Sequence, residues 1–492
     1  MKVIKNSTLY LSVSIIQSFM SFLLLPLYTS LLSTGEFGLT SLINSVAGLL
    51  SIFFLFGSQS VVSRLYFEHS QDQEKLKRFL GTVFLSKLIW NLVIASVLLL
   101  GREYIFPIIG EGVAFYPYML IAIGMAFFSS IFQLFQTLQQ TKQNGWRYSV
   151  VQILYLLLNN GISVLLLVVF KLRAEGIILG TLIADIVMTI YVFSSLRKRI
   201  HFGISKEIVK DAFGFSWPIF LHALFGWAMG SINKLILNNL VSIDTVGIYT
   251  IGFTIAGIVN MVTVALNRSY TPWFFEKMKK EKRNNEDIVI FSEFIVLMYS
   301  IVALIISLFG REVIALVLSK SYFDSWRVIP FLSFGYVFNG VYFFFVNIFN
   351  YQKKSVKLVP LYTLLSALLN TGFNYLLIPR FGIIGSALSS LLAMFLLSLI
   401  TYFGSKRLLN IKYNYLRLLG LISIPALFSL VVFLPINLNS WVALPLNTVY
   451  LCVVLLLIYW LTKKRYGDSY VKQYRNLKRV LDRKFQHYRK NR

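Results

Sequence analysis

Long apolar stretches fill most of the chain, and short polar segments separate them. Each stretch reaches about 20 residues, the length at which an α-helix crosses the hydrocarbon core of a bilayer. The stretches are continuously apolar, whereas the strands of a membrane barrel alternate apolar and polar side chains. The pattern therefore predicts an all-α polytopic membrane protein with fourteen transmembrane spans. We place these spans at residues 8–32, 37–62, 79–101, 113–138, 146–170, 175–197, 212–241, 245–270, 288–310, 327–351, 356–379, 381–405, 413–434 and 440–462.

The composition agrees with this prediction and adds an orientation. The chain of 492 residues is 57% hydrophobic and only 14% charged, which leaves too little charged surface for a soluble protein of this length. Of the 47 Lys and Arg residues, 37 fall at the N-terminus, in the even-numbered loops and in the C-terminal tail, against seven in the odd-numbered loops. The positive-inside rule then places both termini in the cytoplasm. The net charge of +27 reflects this topology, so no nucleic-acid partner is expected.

An internal repeat divides the chain into two similar halves. Residues 33–50 align with residues 242–259 at an offset of 209, which pairs Gly38 with Gly247. Each copy holds six spans, an even number, so the copies share one orientation and an axis along the membrane normal relates them. The tail carries apolar residues at a spacing of three and four, which favours a helix on anionic lipid over a solvated segment. The predicted organisation is an N-lobe (1–200, spans 1–6), a C-lobe (201–410, spans 7–12), spans 13 and 14 (411–462) and a basic amphipathic cytoplasmic tail (463–492).

Four segments in a fixed order carry a resemblance to a known family. The chain resembles the polysaccharide-transport branch of the multidrug/oligosaccharidyl-lipid/polysaccharide (MOP) exporter superfamily, which has a MATE-like fold, and within it the Wzx-type oligosaccharide-lipid flippases. Fourteen spans agree with that family. The segments are "PLYTSLLSTGEFGL", "VVSRLYFEHSQDQEKLKRFL", "NKLILNNLVSIDTVGIYTI" and "NTGFNYLLIPRFGIIGSAL".

The resemblance implies a transport function. A flippase of this family moves an undecaprenyl-diphosphate-linked oligosaccharide repeat unit from the inner to the outer leaflet for cell-surface polysaccharide synthesis. The implied partners are the lipid-linked oligosaccharide, membrane lipids and other polysaccharide-assembly proteins. Drug or organic-cation antiporters and lipid II flippases share the fold and stay open as alternatives, because fold alone does not fix function.

Charges at membrane depth are the first candidate functional residues, because each costs about 2.5–3.5 kcal/mol on insertion scales. Lys87 lies inside span 3 and has two interpretations: a cavity charge that attracts a diphosphate, or an ion pair with Asp185 in the middle of span 6. Arg64 and Arg268 lie at the cytoplasmic ends of spans 2 and 8, which are equivalent in the repeat. Their guanidinium groups suit a diphosphate head group, and positive-inside anchoring is the alternative.

Span 7 supplies a second group of candidates. Lys234 shares a helical face with Trp227 and Ser231, which favours a sugar-stacking cavity wall over a lysine that snorkels to the surface. His222 and Asn233 share a neighbouring face of the same span. A hydrogen-bonded packing residue is favoured over a proton carrier for the histidine. Members of the family that the chain resembles often carry Asp-Arg where this sequence has Asn233-Lys234. The cation is therefore kept and its acidic neighbour is lost.

Polar residues of spans 1, 2 and 8 complete the candidate substrate-binding set. Gln17, Asn44 and Asn260 are expected to cover the sugars while the two lobes rock by alternating access. Since Asp185 is the one deep acid against several cations, a net-positive cavity favours an anionic cargo over a cationic drug. A single cysteine, Cys452, and scattered histidines give no metal-ligand spacing. We expect no enzymatic activity, no metal and no cofactor.

The segment "NTGFNYLLIPRFGIIGSAL" has a structural interpretation. Asn370 and Asn374 lie four residues apart on one helical face, and Asn159 occupies the matching place in the other lobe. Small residues after the turn at Pro379 allow a neighbouring helix to approach closely. We expect the two amides to bridge close-packed helices without any ligand.

Overall fold

The computed structural model describes residues 2–463 apart from 111, 198–199, 202, 281–285, 353–354, 410 and 435–438. Regular structure in this part of the chain is helical, as the continuous apolar pattern predicts. The predicted tail helix falls outside the described residues, apart from Lys463. The helices are α1 (Lys2–Leu23), α2 (Leu25–Leu31), α3 (Thr34–Leu55), α4 (Ser58–His69), α5 (Gln73–Leu100), α6 (Arg102–Ile109), α7 (Leu120–Thr141), α8 (Gly145–Val168), α9 (Arg173–Leu196), α10 (Lys206–Leu240), α11 (Ile243–Lys280), α12 (Glu286–Val317), α13 (Ile329–Tyr351), α14 (Val359–Lys406), α15 (Tyr415–Ser429) and α16 (Ser440–Lys463).

The described residues contain 13 helical segments that are long and apolar enough to cross a membrane, so the protein is a multi-pass membrane protein. The longest segment, α14, folds back on itself at Gly382, whose φ is +54°. The Ser366 hydroxyl donates to the carbonyl oxygen of Ala393 at 3.0 Å, although 27 residues of straight helix would span about 40 Å. Counted as two arms, α14 brings the number of crossings to the fourteen predicted from the sequence.

Successive membrane crossings alternate in direction, which defines two ends of the helix bundle. We call the end that carries residues 70–72 and 142–144 the basic end, because the Lys- and Arg-rich loops are there. We call the opposite end, with residues 32–33 and 241–242, the outer end, after the orientation that the sequence predicts; that orientation stays a prediction.

Span 2 is built from two helices, α3 and α4, with a break between them. Helix α3 begins at a capping box in which Ser33 Oγ accepts from the Glu36 amide and the Glu36 carboxylate accepts from the Ser33 amide. It ends at Phe56 and Gly57, whose φ angles are +40° and +68°. A Cβ on Gly57 would lie 2.6 Å from the carbonyl oxygen of Ser216 on α10, so glycine permits both the turn and the close approach.

Two clusters of buried apolar side chains each lie within one half of the chain, and a third, at the outer end, joins Phe37 of the first half to Tyr322 of the second. A cluster in the first half includes Phe79, Phe84 and Phe135. A larger cluster in the second half runs from Ile236 to Ile458 and includes side chains of α15 and α16. The last two helices therefore pack onto the second half although they lie outside the sequence repeat. We refer to α1–α9 as the N-lobe and α10–α14 as the C-lobe; the residue boundaries of the lobes stay a prediction.

Candidate functional site

The two lobes meet closely at the outer end, where α3 crosses α11 at a pair of glycines. A Cβ on Gly38 would lie 2.0 Å from the carbonyl oxygen of Ile243, and one on Gly247 would lie 2.0 Å from that of Thr34. Side chains cannot come so near to backbone oxygens, so only glycine allows this crossing. Gly38 and Gly247 are the paired glycines of the sequence repeat, which places the crossing beside the axis between the lobes.

Hydrogen bonds between the lobes reinforce the crossing. The hydroxyl groups of Ser41 on α3 and Thr250 on α11 lie 2.8 Å apart, again at equivalent positions of the repeat. The hydroxyl of Tyr322 in the C-lobe donates to the carbonyl oxygen of Ser33 in the N-lobe at 2.8 Å. These contacts hold the outer end closed in this structure.

Beyond this crossing, the next pair of equivalent glycines on the two helices has different surroundings. A Cβ on Gly48 of α3 would still meet Trp227 Nε1 at 3.5 Å, and that nitrogen donates to the carbonyl oxygen of Ser45 at 3.1 Å. The equivalent glycine of α11, Gly257, has no atom of the described residues within 4 Å of a Cβ built on it. Gly257 lies about 15 Å along the helix from the tight contact at Gly247. Toward the basic end, a cavity lies between α4 and α7 of the N-lobe and Ile219 of α10, so the lobes enclose a cleft that is narrow at the outer end and wider near the basic end.

Arg268 projects from the cleft face of α11. It follows Thr250 by 18 residues, or about five helical turns, so both side chains leave the helix in the same direction. Thr250 touches the N-lobe, whereas Arg268 is exposed. Among the described residues Arg268 has no ion pair or side-chain hydrogen bond. It is an accessible cation on the C-lobe wall near the basic end.

Arg64 lies on the opposite wall, on α4 of the N-lobe. It lines a cavity of about 600 Å³ at the boundary between the lobes. Arg268 does not line this cavity, so the predicted joint grip of the two arginines on one group stays a prediction. The lining residues are Gln59, Ser60, Ser63, Arg64, Thr137, Gln140 and Ile219, the last from α10.

Lys234 is half-buried on α10 between Trp227 and the outer end. Its Nζ atom lies 5.1 Å from the centroid of the Phe253 ring, a distance at which the ring face attracts a cation. No carboxylate or other hydrogen-bond partner of Lys234 is present among the described residues. Phe253 is the repeat equivalent of Asn44, which is exposed on α3. The ammonium group thus lies beside the cleft and is held by an aromatic ring.

Lys87 has a structural role that neither of its two interpretations anticipated. The break after α3 leaves the last carbonyl groups of that helix without helical partners. Lys87 Nζ donates to the carbonyl oxygen of Phe54, and Trp90 Nε1 donates to that of Phe53 at 2.9 Å. A positive charge is favourable at a helix C-terminus. The buried lysine therefore caps α3.

The ion pair between Lys87 and Asp185 is absent from the described residues, so this interpretation is wrong. Asp185 is 1% exposed and lies beside Tyr155 in the lining of a second cavity inside the N-lobe. Its Oδ1 atom has no hydrogen-bond partner. The two charges are apart because Lys87 turns to the end of α3, whereas Asp185 on α9 faces α7 and α8.

Asn233 is the centre of a buried hydrogen-bond network in the C-lobe. Its Oδ1 atom accepts from Asn370 at 2.9 Å and from Asn374 at 3.0 Å. Its Nδ2 atom donates to Ser390 Oγ at 2.6 Å and to Tyr249 Oη at 3.0 Å. The two asparagines of α14 thus bridge packed helices, as expected. Because its hydrogen-bonding capacity is used within the C-lobe, Asn233 is poorly placed to bind a substrate.

The remaining candidates lie around the cleft helices without forming one cluster. Gln17 on α1 and His222 on α10 are exposed at membrane depth. Asn44 is exposed on α3, on the side that Phe253 occupies in the C-lobe. Asn260 is half-buried on α11 and its Oδ1 accepts from the amide of Asn339 at 3.3 Å. Their roles in substrate binding stay predictions.

Glutamine side chains form a polar cavity that the sequence interpretation missed. It has a volume of about 260 Å³ and lies between α4, α7, α8 and α9. A repeated spacing of polar residues along span 4 was the available signal, since Ser129, Gln133, Gln136 and Gln140 lie on one helical face. The lining residues are Gln59, Ser129, Phe132, Gln133, Gln136, Thr137, Gln140, Tyr148, Gln152, Tyr155 and Asp185.

Solved structures define the class of protein to which this two-lobed fold belongs. The chain superposes on the lipid II flippase MurJ in its inward closed conformation with a TM-score of 0.69, at 16% identity, over 94% of this chain and 99% of that one. It also superposes on a multidrug resistance MATE transporter of the MOP superfamily in an outward-facing conformation, with a TM-score of 0.55 at 15% identity, over 86% and 96% of the two chains. The fold is thus the one shared by MurJ and by MATE transporters of the MOP superfamily.

Sequence comparison identifies the family. Residues 3–278 match the model of the family described as "Polysaccharide biosynthesis protein", and the chain belongs to that family. It is 25% identical to protein 1 of the Lsg locus of Haemophilus influenzae, over 78% of this chain and 96% of that protein. It is also 25% identical to the capsular polysaccharide biosynthesis protein CapF of Staphylococcus aureus, over 43% of this chain and 53% of CapF. The resemblance to the polysaccharide-transport branch is thereby confirmed.

Proposed function

We propose that this protein is a flippase that moves a polyprenyl-diphosphate-linked oligosaccharide between the leaflets of a bacterial cell membrane, with both termini in the cytoplasm. The single observation that carries the proposal is the cleft between the lobes, closed by Gly38 and Gly247 and lined by cations where it widens. Membership of a polysaccharide biosynthesis family supports a sugar-bearing cargo.

The charges of the cleft favour an anionic head group. Arg268 is exposed on one wall, Arg64 lines a cavity on the other, and Lys234 lies farther toward the outer end. A guanidinium group pairs with two phosphate oxygens at once, and such charge-assisted hydrogen bonds are stronger than neutral ones. The diphosphate first meets the arginines and then Lys234 as it moves through the cleft toward the outer end. A cationic drug would be repelled along the same path.

The glycine crossing supplies the moving contact of the cycle. In this structure the outer end is closed through Ser41 and Thr250, and the cleft widens toward the basic end. Opening the other side requires the lobes to separate at Gly38 and Gly247 while α4 and α10 approach each other. The outer contact also buries apolar side chains of both lobes, among them Phe37 and Tyr322, so this contact must separate as the rigid lobes rock about the axis between them. The lipid tail stays in the bilayer throughout, and the sugars cross through the cleft.

Leaflet exchange by the full-length protein tests the proposal. The protein is reconstituted into proteoliposomes with an undecaprenyl diphosphate that carries a fluorescent disaccharide, and lipid that reaches the opposite leaflet is quantified. We expect Arg268→Ala to slow exchange by about tenfold to a hundredfold, the loss expected for hydrogen bonds to a charged group. Arg380→Ala removes an exposed arginine at the outer turn of α14 and is the matched control.

Two results would contradict the proposal. One is an exchange rate that is unchanged in the double variant Arg268→Ala, Lys234→Ala. The other is export of an organic cation at a rate that exceeds exchange of the lipid in the same vesicles, which would favour an antiporter. Lipid II included as a competing cargo distinguishes a lipid II flippase, because it would then be exchanged faster than the disaccharide lipid.

A further inference from the structure

The polar cavity of the N-lobe differs in chemistry from the cleft, because amide side chains line the cavity whereas the candidate residues of the cleft are cations. We call it the glutamine cavity, defined by Gln59, Gln133, Gln136, Gln140 and Gln152. Glutamine carries no net charge, and its amide offers two donors and one acceptor oxygen. An amide-rich cavity is unsuited to a lipid tail and does not match a diphosphate, so it needs an occupant of its own.

Two helices present this polar surface face to face. On α7 the cavity residues recur with helical spacing from Ser129 to Gln140, and on α8 Tyr148, Gln152 and Tyr155 do the same. The Gln136 Nε2 atom donates to Gln152 Oε1 at 2.7 Å, which joins the two helices across the cavity. The polar side chains thus form two facing walls inside the N-lobe.

Acceptor atoms in these walls lack donors. Gln136 is 6% exposed and Asp185 is 1% exposed, and neither Gln136 Oε1 nor Asp185 Oδ1 has a hydrogen-bond partner among the described residues. A buried polar atom without a partner costs free energy, so each such atom needs an explanation. A ligand that supplies O–H or N–H donors would satisfy both.

The position of the cavity connects it to the proposed path of the diphosphate. Gln59, Thr137 and Gln140 line both the glutamine cavity and the larger cavity that contains Arg64. The larger cavity, at about 600 Å³, falls in the size range of small-molecule sites. A ligand with an anionic group at Arg64 can therefore extend a neutral polar group toward Gln136 and Asp185.

We propose that the glutamine cavity is a carbohydrate subsite that binds neutral or N-acetylated sugar residues next to the diphosphate. The amides of Gln133, Gln136 and Gln152 exchange hydrogen bonds with sugar hydroxyl or acetamido groups, and the rings of Tyr148 and Tyr155 supply apolar contact. Asp185 accepts from a donor at the closed end of the cavity. This assignment rests on the proposed flippase function and adds to it the part of the cargo that the N-lobe selects.

Binding of two lipids to the full-length protein in detergent separates the subsite from the flippase function. The probes are undecaprenyl diphosphate and the same lipid carrying a disaccharide of N-acetylhexosamines. We expect the wild-type protein to bind the disaccharide lipid about tenfold more tightly, and Gln136→Leu and Gln133→Leu each to reduce that preference about fivefold or more. Neither variant changes the affinity for the sugar-free lipid.

Matched variants identify the cause of any change. Gln139→Leu alters a buried glutamine of α7 that does not line the cavity, and the preference should persist. Arg268→Ala should weaken binding of both lipids equally. Thermal unfolding of each variant shows whether it is folded. Gln133→Leu gives a second measurement, because the Gln133 side chain makes no hydrogen bond to the described residues that the substitution would break.

The failures of the two proposals differ. If the wild-type protein binds neither lipid, the flippase function is wrong. If it binds both with equal affinity, or if Gln133→Leu and Gln136→Leu leave the preference unchanged, the carbohydrate subsite is wrong. The subsite is also wrong if Asp185→Asn removes a dependence of transport on sodium or pH while the preference for the disaccharide lipid stays intact, because the cavity would then hold a coupling ion.

Discussion

Equivalent helices of the two lobes bury opposite kinds of side chain. Lys142 and Asn159 pair with Lys353 and Asn370 at an offset of 211, which aligns α7 of the N-lobe with α13 of the C-lobe. At this offset, four polar residues of α7 that line the glutamine cavity fall opposite two aromatic residues, one amide and one glycine of α13. The aligned pairs are Ser129 with Gly340, Gln133 with Phe344, Gln136 with Asn347, and Gln140 with Tyr351.

In the C-lobe, aromatic rings fill the space that corresponds to the polar cavity of the N-lobe. The centroid of the fully buried Phe344 ring lies 4.8 Å from that of Tyr270, and its plane is nearly parallel to that of Tyr299. A Cβ on Gly340 would lie 2.6 Å from the Tyr299 ring, so glycine leaves the room that this ring occupies. The repeat thus preserves the backbone plan while packing makes one lobe solid and leaves a cavity in the other.

The largest expected effect comes from placing the N-lobe residue in the C-lobe. Phe344→Gln removes buried ring contacts and leaves an amide without partners, which we expect to lower the free energy of unfolding by about 3–5 kcal/mol. The reciprocal change, Gln133→Phe, should cost less than about 1 kcal/mol because it points into a cavity. Thermal and detergent-induced unfolding of the two variants provides the measurement. Equal losses would contradict the contrast between a solid and an open lobe.

The glycine crossing provides the next largest effect. Gly247→Ala places a Cβ against the Thr34 carbonyl oxygen, and we expect a loss of about 2–3 kcal/mol or a shift toward an outer-open conformation. In a Cys452→Ser background, a cysteine at Ser41 should then react faster with a membrane-impermeant maleimide. Gly257→Ala is the control, because a Cβ built on Gly257 would meet no neighbouring group of the described residues within 4 Å. Similar behaviour of the two variants would mean that the lobes do not close at Gly38 and Gly247.

The paired asparagines compare the lobes on a smaller scale. Asn370→Ala removes a donor to Asn233 inside a buried network, and we expect a loss of about 2 kcal/mol. Asn159→Ala should cost about 0.5–1 kcal/mol, because Asn159 is half-buried and its Oδ1 accepts from the hydroxyls of Thr181 and Ser163 instead of joining a fully buried amide network. Unfolding measurements on the two variants test the difference. A larger loss for Asn159→Ala would contradict a C-lobe held by its amide network.

The last prediction compares Lys87, which caps α3, with Arg268, the exposed cation of the cleft. Lys87→Met retains the apolar stem but loses the cap of α3, and we expect a loss of about 1 kcal/mol. Affinity for undecaprenyl diphosphate should be unchanged. Arg268→Ala is the counterpart, with unchanged stability and reduced affinity. A loss of lipid affinity in Lys87→Met without loss of stability would restore Lys87 to the substrate site.

Much of the fold could be predicted from the chain because its causes are local in sequence. The lengths of apolar runs set the crossings, and the distribution of Lys and Arg sets the basic end. The sequence match between Gly38 and Gly247 predicted two lobes without any knowledge of the contact between these glycines. Asn370 and Asn374 were correctly expected to join helices, since buried amides four residues apart require partners.

The candidate site was less predictable, because it depends on which helices become neighbours. Lys87 turns to the end of α3 because span 2 breaks at Phe56 and Gly57, and composition alone does not show which carbonyl groups a break will expose. Asn233 and Lys234 are adjacent in sequence, yet they leave α10 in directions about 100° apart, one into the amide network and the other toward Phe253.

The sequence by itself therefore determined the membrane architecture, the repeat and the family. These follow from periodicity and hydropathy, which act along one helix at a time. Only the tertiary structure decided that the cleft closes at the outer end, that Asp185 faces the glutamine cavity and that α13 is packed where α7 is open. Such features depend on contacts between helices far apart in the chain, where a single ring or glycine decides whether space is filled or left for a ligand.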